Sequence, residues 1–152
     1  MKKITFVCTG NSCRSVMAQQ ILKKSLKREG FYDVEIDSAG TAAYPHYAII
    51  GDLKNVMDAE GVDYEGHTPR MIDRHIMESS DLILAATSQH IDQINERFEP
   101  PPGKVFLISE YATGRKKDIE DPIGRGRAAY ERVFEEITFY VEKIIERIKD
   151  EN

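Results

Sequence analysis

Four short apolar runs, at 3–7, 34–38, 81–86 and 104–108, alternate along this chain with stretches whose apolar residues recur at helical spacing. That alternation leaves little choice of fold, because strands joined by helical crossovers lie parallel and a parallel sheet must be covered on both faces. The helical stretches run over 16–29, 48–59, 71–79, 88–98 and 126–149. The first puts Ala18, Ile21, Leu22, Ser25 and Leu26 on one face and stops at Gly30, and the second is closed by Gly61. The third has Asp73 near its start, and the last ends in lysine and arginine, the charges that a helix C-terminus favours. We therefore expect an α/β fold: one domain over 1–152, a four-stranded parallel sheet with helices on both faces, and a ligand at the carboxyl ends of the strands.

Composition sets the setting. With 152 residues, 31% of them charged, and a net charge of −5, the chain reads as a soluble globular protein without a broad surface for nucleic acid or anionic membrane. The apolar run near the start covers only 4–7, too short for a signal-peptide core, and nothing approaches the roughly 20 apolar residues that span a bilayer. A cytoplasmic protein is expected. Its two cysteines, Cys8 and Cys13, are so close that a disulfide between them would close a tiny loop and add little stability. A chemical reason for them is the better one.

That reason lies in Cys8-Thr-Gly-Asn-Ser-Cys-Arg14-Ser15, which stands between the first strand and the first helix. A loop entering a helix N-terminus aims several backbone N–H groups at one point, where the helix dipole adds about half a positive charge. Gly10 allows a tight loop, Asn11 tolerates the left-handed conformation such a nest requires, and Arg14 offers two parallel N–H donors to an oxyanion. A tetrahedral dianion fits this cradle, with Thr9, Gly10, Asn11, Ser12, Cys13 and Ser15 around it. The same field favours a thiolate at Cys8, and Ser15 is placed to donate its hydroxyl to that sulfur. Breaking a phosphate ester also needs a proton for the departing oxygen. Asp118, Glu120 and Asp121 are the candidates; Asp121, before Pro122 on the ligand edge of the sheet, is the preferred one, and the other two read as solvated loop charges.

Cys8-Thr-Gly-Asn-Ser-Cys-Arg14-Ser15, Asp37-Ser-Ala-Gly40 and Asp121-Pro122 together resemble the low-molecular-weight protein tyrosine phosphatase family, in order and spacing over the whole chain. The resemblance implies a cysteinyl-phosphate intermediate on Cys8, phosphoryl binding by Arg14, and Asp121 as general acid and then general base. It implies phosphorylated proteins as substrates and no metal or cofactor. It also places Asn11, Ser15, Ser38 and His67 in one supporting network, and matches Cys13 to a loop cysteine that pairs reversibly with the nucleophile on oxidation.

Substrate choice divides the signals. Thr9, Ser12, Ile123 and Gly124 stand where tyrosine-specific members carry larger apolar or aromatic residues. Ser12, Ile123-Gly124 after Asp-Pro, and Glu110-Tyr111-Ala-Thr-Gly114 look like the bacterial protein arginine phosphatase branch. Tyr44, six residues after Ser38, stands where tyrosine phosphatases place an aromatic wall against the substrate ring. As a positive feature of ring recognition it tips the reading to phosphotyrosine, with phosphoarginine the alternative. Arsenate reductase shares the Cys8 to Ser15 string but needs cysteines downstream of Cys13, and this chain has none. A non-catalytic phosphate binder would not need Cys8, Arg14 and Asp121 together. His46, His75 and His90 show no metal-ligand spacing and default to solvated or capping roles. Arg125 and Arg127 read as a solvated face, with attraction of acidic phosphoproteins the less favoured use. Oligomeric state leaves no mark in the sequence.

Overall fold

A computed structural model of the protein describes residues 2–46, 49 and 51–151. The central strand β1 (Lys2–Cys8) lies between β2 (Val34–Gly40) and β3 (Leu82–Ala85), and β4 (Val105–Leu107) pairs with β3; every pairing is parallel. The helices are α1 (Arg14–Glu29), α2 (Gly51–Ala59), α3 (Arg74–Ser79), α4 (Ser88–Phe98), α5 (Ile108–Thr113) and α6 (Arg127–Asp150).

Side chains alternate across a strand, so β1 feeds two cores. Ile4, Phe6 and Cys8 join Leu82 and Leu84 in the larger core under α1, α2, α5 and α6, while Val7 joins Ile83, Ile76, Met77 and Ile94 in the smaller one under α3 and α4. The strand order β2-β1-β3-β4 puts β1 at the switch point of the sheet, where the chain turns to β2 on one side and β3 on the other. A crevice opens there at the carboxyl ends, and Cys8 is the last residue of β1.

The elements depart from expectation in three places. Of the helix expected over 48–59, positions 48 and 50 lie outside the described residues, and the described helix starts at Gly51. The helix expected from 71 begins only at Arg74, capped by the Asp73 carboxylate, which accepts the Ile76 N–H at 2.8 Å. Met71 instead forms a parallel bridge with Gly40, prolonging the edge of the sheet toward the site. The strand expected over 104–108 is only Val105–Leu107, because α5, a helix not foreseen, begins at Ile108. Glu110 accepts the Leu107 N–H at 3.3 Å, Gly114 closes the turn with φ 81°, and the Arg147 guanidinium covers the Tyr111 ring at 3.8 Å.

Candidate active site

The loop between β1 and α1 is a cradle held by buried polar groups. Asn11 takes φ 53°, the left-handed region expected of it, and is fully buried. Its side chain is oriented unambiguously: the Arg70 backbone N–H donates to Asn11 Oδ1 at 3.1 Å, so Nδ2 faces Ser15 and donates to Ser15 Oγ at 2.9 Å. Ser15 Oγ also lies 3.0 Å from Cys8 Sγ, within reach for its hydroxyl to donate to the sulfur. His67 Nε2 donates to the Asn11 carbonyl at 2.7 Å, which fixes its tautomer, and burial lowers its pKa. Cys8 is 2% exposed and Arg14 5%. Burial pushes the Cys13 thiol far above its ordinary range, with the charge of Cys8 adding to the effect.

Gly40, at the end of β2, is what lets this loop close. A Cβ there would stand 2.3 Å from the Thr9 carbonyl oxygen, 2.8 Å from Ala43 Cβ and 2.9 Å from the Asn11 nitrogen. In the space so left, the Thr41 and Ala42 N–H groups donate to the Cys8 and Thr9 carbonyls, each at 2.9 Å.

The second loop, 118–121, lies across the mouth. Ile119 N–H donates to the Ala86 carbonyl at 2.9 Å, and its own carbonyl accepts Arg14 Nη1 at 2.9 Å. Arg14 Nη2 is 3.8 Å from the Asp121 carboxylate, which also accepts the Ile123 N–H at 3.1 Å. Arg14 therefore ties cradle to acid loop and still has N–H donors for an oxyanion. Asp118 and Glu120, expected as solvated loop charges, lie at the surface and also anchor the loop. Asp118 accepts the Ser88 N–H at 2.9 Å and the Ser88 hydroxyl at 3.2 Å, at the start of α4. Glu120 is gripped by Arg125 at 2.9 Å and Arg132 at 3.4 Å, and Arg127 pairs with Glu131, so these arginines are engaged within the chain.

Cys8, Asn11, Arg14, Ser15, His67 and Asp121 are thus brought to one mouth. Ser38 joins one step back: its hydroxyl donates to Gln19 Oε1 at 2.5 Å and its carbonyl accepts Arg70 Nε at 3.2 Å. Tyr44, 45% exposed, stacks on His46 with ring centroids 5.9 Å apart, and Ile123 is 54% exposed beside Asp121. Gln19 and Arg70 were not expected; His90 takes the capping role expected as one of its defaults, but its bond to the cradle was not foreseen. Arg70 ion-pairs with Asp37 while its backbone serves Asn11, and the buried His90 meets Thr9 Oγ1 at 2.7 Å. Only the Thr87-x-x-His90 spacing of a helix cap hinted at the last.

Such a site can hold a tetrahedral oxyanion over a sulfur nucleophile with a carboxylate facing it. Residues 3–152 match the low molecular weight phosphotyrosine protein phosphatase family. The protein-arginine-phosphatase of Bacillus subtilis (strain 168) is 34% identical over 146 residues, 96% of each chain. The low molecular weight protein-tyrosine-phosphatase Etp of Escherichia coli (strain K12) is 32% identical over 131 residues, 86% of this chain and 84% of that one. A mutant of the YwlE arginine phosphatase with a phosphorylated active-site serine superposes with a TM-score of 0.91 at 33% identity, covering 97% of this chain and 95% of that one. The match along nearly the whole chain agrees with the strand order and the site at the end of β1: this protein belongs to the low molecular weight phosphotyrosine protein phosphatase family.

Proposed function

We propose that the protein hydrolyses phosphoarginine in protein substrates, with Cys8 as nucleophile, Arg14 as phosphoryl ligand and Asp121 as acid and base. The observation that carries the mechanism is the chain Asn11 Nδ2 to Ser15 Oγ to Cys8 Sγ, at 2.9 and 3.0 Å, in which the Ser15 hydroxyl can donate a hydrogen bond to a thiolate at Cys8. The thiolate attacks phosphorus, the P–N bond breaks as Asp121 gives its proton to the departing nitrogen, and a cysteinyl phosphate forms. Water then attacks that phosphorus while Asp121 takes its proton. The S–P bond breaks, Ser15 stabilises the leaving thiolate, and inorganic phosphate departs.

For the substrate, Tyr44 is less decisive than its position implies, because a planar guanidinium stacks on an aromatic face as a phenyl ring does. What remains favours arginine: the half-buried Ser12 and exposed Thr9 put small hydroxyls at the cradle mouth, acceptors for guanidinium N–H groups and poor packing for a ring. Similarity to named arginine phosphatases supports the same reading. Phosphotyrosine is the second reading, favoured by the exposed Tyr44, whose ring can face a substrate ring.

The test is a side-by-side assay of a phosphoarginine and a phosphotyrosine peptide, with Cys8→Ser and Asp121→Ala as controls. We expect kcat/KM at least about tenfold higher on phosphoarginine, a difference of about 1.4 kcal/mol in transition-state binding. A preference for phosphotyrosine hands the assignment to the second reading. Hydrolysis of neither, or full activity in Cys8→Ser, removes the mechanism.

A further inference from the structure

Among the described residues, α4 is bonded to three of the loops at the mouth of the site. Ser88, its first residue, holds Asp118 of the acid loop; His90, one turn in, holds Thr9 of the cradle at 2.7 Å; and Arg97, near its end, donates to the Thr41 carbonyl of the loop that follows β2 at 2.6 Å. The middle contact is unusual because it joins a buried histidine, 2% exposed, to the residue that follows the nucleophile.

The tautomer of His90 follows from its partners. The Thr87 backbone N–H can only donate, and it reaches His90 Nδ1 at 3.2 Å, so Nδ1 is the acceptor and the ring proton is on Nε2. Nε2–H therefore donates to Thr9 Oγ1, and the Thr9 hydroxyl keeps its own proton for a ligand or water. The ring nitrogens thus act separately, since Nδ1 closes the cap of α4 and Nε2 reaches across to the cradle. A histidine that only capped the helix would have no use for the second bond.

We propose that His90 is a positioning residue for the reaction, holding Thr9, and through it the peptide next to Cys8, at a fixed distance from the acid loop that the same helical turn anchors through Asp118. The inference rests on the assignment of Cys8 and Asp121 above. It requires a neutral ring. Burial supplies that, lowering the His90 pKa to about 4; Arg14 of α1 acts in the same direction, and Asp118 and Asp121 of the acid loop pull the other way.

The two roles of the ring are separable. His90→Asn puts an amide near the Nδ1 position and keeps an acceptor for Thr87 N–H without reaching Thr9; His90→Gln puts a donor near the Nε2 position. Thr9→Val removes the acceptor at an exposed site and leaves the cap untouched, and Thr9→Ser retains it. Steady-state kinetics on p-nitrophenyl phosphate, with melting temperature in parallel, avoids dependence on the protein substrate. We expect His90→Asn and Thr9→Val each to lower kcat about tenfold, as small displacements of reacting groups do, with KM within twofold. His90→Gln and Thr9→Ser should recover most of the loss. The double variant His90→Asn/Thr9→Val should be no slower than either single one, since both remove one bond. Wild-type kcat in Thr9→Val, or losses that multiply in the double variant, overturns the proposal. If His90→Asn does not fold, the Thr9 pair decides it. An inactive wild type, or an active Cys8→Ser, refutes the proposed function instead.

Discussion

In the proposed mechanism the cradle and the acid loop each contribute half of the chemistry, and they are built in opposite ways. In the cradle, Asn11 and Ser15 are fully buried, Cys8 is 2% exposed, and the polar side chains of Asn11 and Ser15 are tied to neighbours. In the acid loop the Asp121 side chain is 48% exposed, and its neighbours are held by surface carboxylates and arginines. The difference follows from what each must do. An anion nest needs N–H groups fixed in a dry place, where their field is strong and no reorganisation is required. A group that gives a proton and takes one back must meet water, so its fixation comes from the residues beside it. Dry and fixed in one region, wet and tethered in the other, the two should respond very differently to substitution.

The largest effect is expected at Gly40→Ala. The clash at 2.3 Å is with the Thr9 carbonyl, backbone that cannot swing aside as a side chain would, so the cradle itself must shift. We expect kcat/KM to fall about 100-fold or more, the size associated with displacements near 1 Å, and stability to fall by about 1–3 kcal/mol. Enzyme kinetics and urea denaturation of one preparation measure both. Near-normal kcat/KM would mean that the cradle is as tolerant as the rim, and the contrast would fail.

His90 sits between the two regions and exposes the contrast to pH. Its folded pKa of about 4 lies below the ordinary 6.5, so between those values the unfolded chain binds more protons than the folded one. Stability from the neutral ring is therefore fully present above about pH 6.5 and is lost as pH falls toward 4, by about 3 kcal/mol in all. The expected outcome is a steeper loss of urea midpoint from pH 7 to pH 4 in the wild type than in His90→Gln, with the carboxylates common to both cancelling. Parallel slopes would show that the ring titrates as a solvated histidine.

What was legible in the sequence follows the same division. Cys8, Asn11, Arg14 and Ser15 belong to one contiguous stretch, so their coming together at the end of β1 is legible before any fold is known. The position of Asp121 at the mouth is legible because proline and the ligand edge of the sheet single it out. Gln19, Arg70, His90 and Asp118 are not, because their partners are distant in sequence: Arg70 reaches Asn11 only through the bridge of Met71 to Gly40, and His90 meets Thr9 only because β3 lies beside β1. Ser38 was placed one bond too close for the same reason, since the intervening Arg70 carries no local mark. The helix α5 was missed although Glu110 and Gly114 are ordinary start and stop signals, because its first residue, Ile108, continues the apolar run of β4 and fits a strand equally well.

The smallest effect is expected in the acid loop, and there the two tethers should differ. Glu120 pairs with Arg125 and Arg132 at a surface where each arginine side chain is 58% exposed, so solvent and salt screen most of the attraction. Glu120→Gln should change stability by less than about 1 kcal/mol and kcat by less than about twofold. Asp118 instead accepts a backbone N–H and a hydroxyl at the first turn of α4, a bond of the helix-cap kind, and Asp118→Ala should cost about 1 kcal/mol. It should also slow kcat several-fold, because the loop that carries Asp121 loses its link to the helix that holds Thr9. Substrates with poorer leaving groups, which depend more on proton donation, should show the larger decrease. Comparing kcat for p-nitrophenyl phosphate and phenyl phosphate in both variants gives the ratio directly. If Glu120→Gln proves the more damaging, the acid loop is held by its arginines, and the tether to α4 is only a cap.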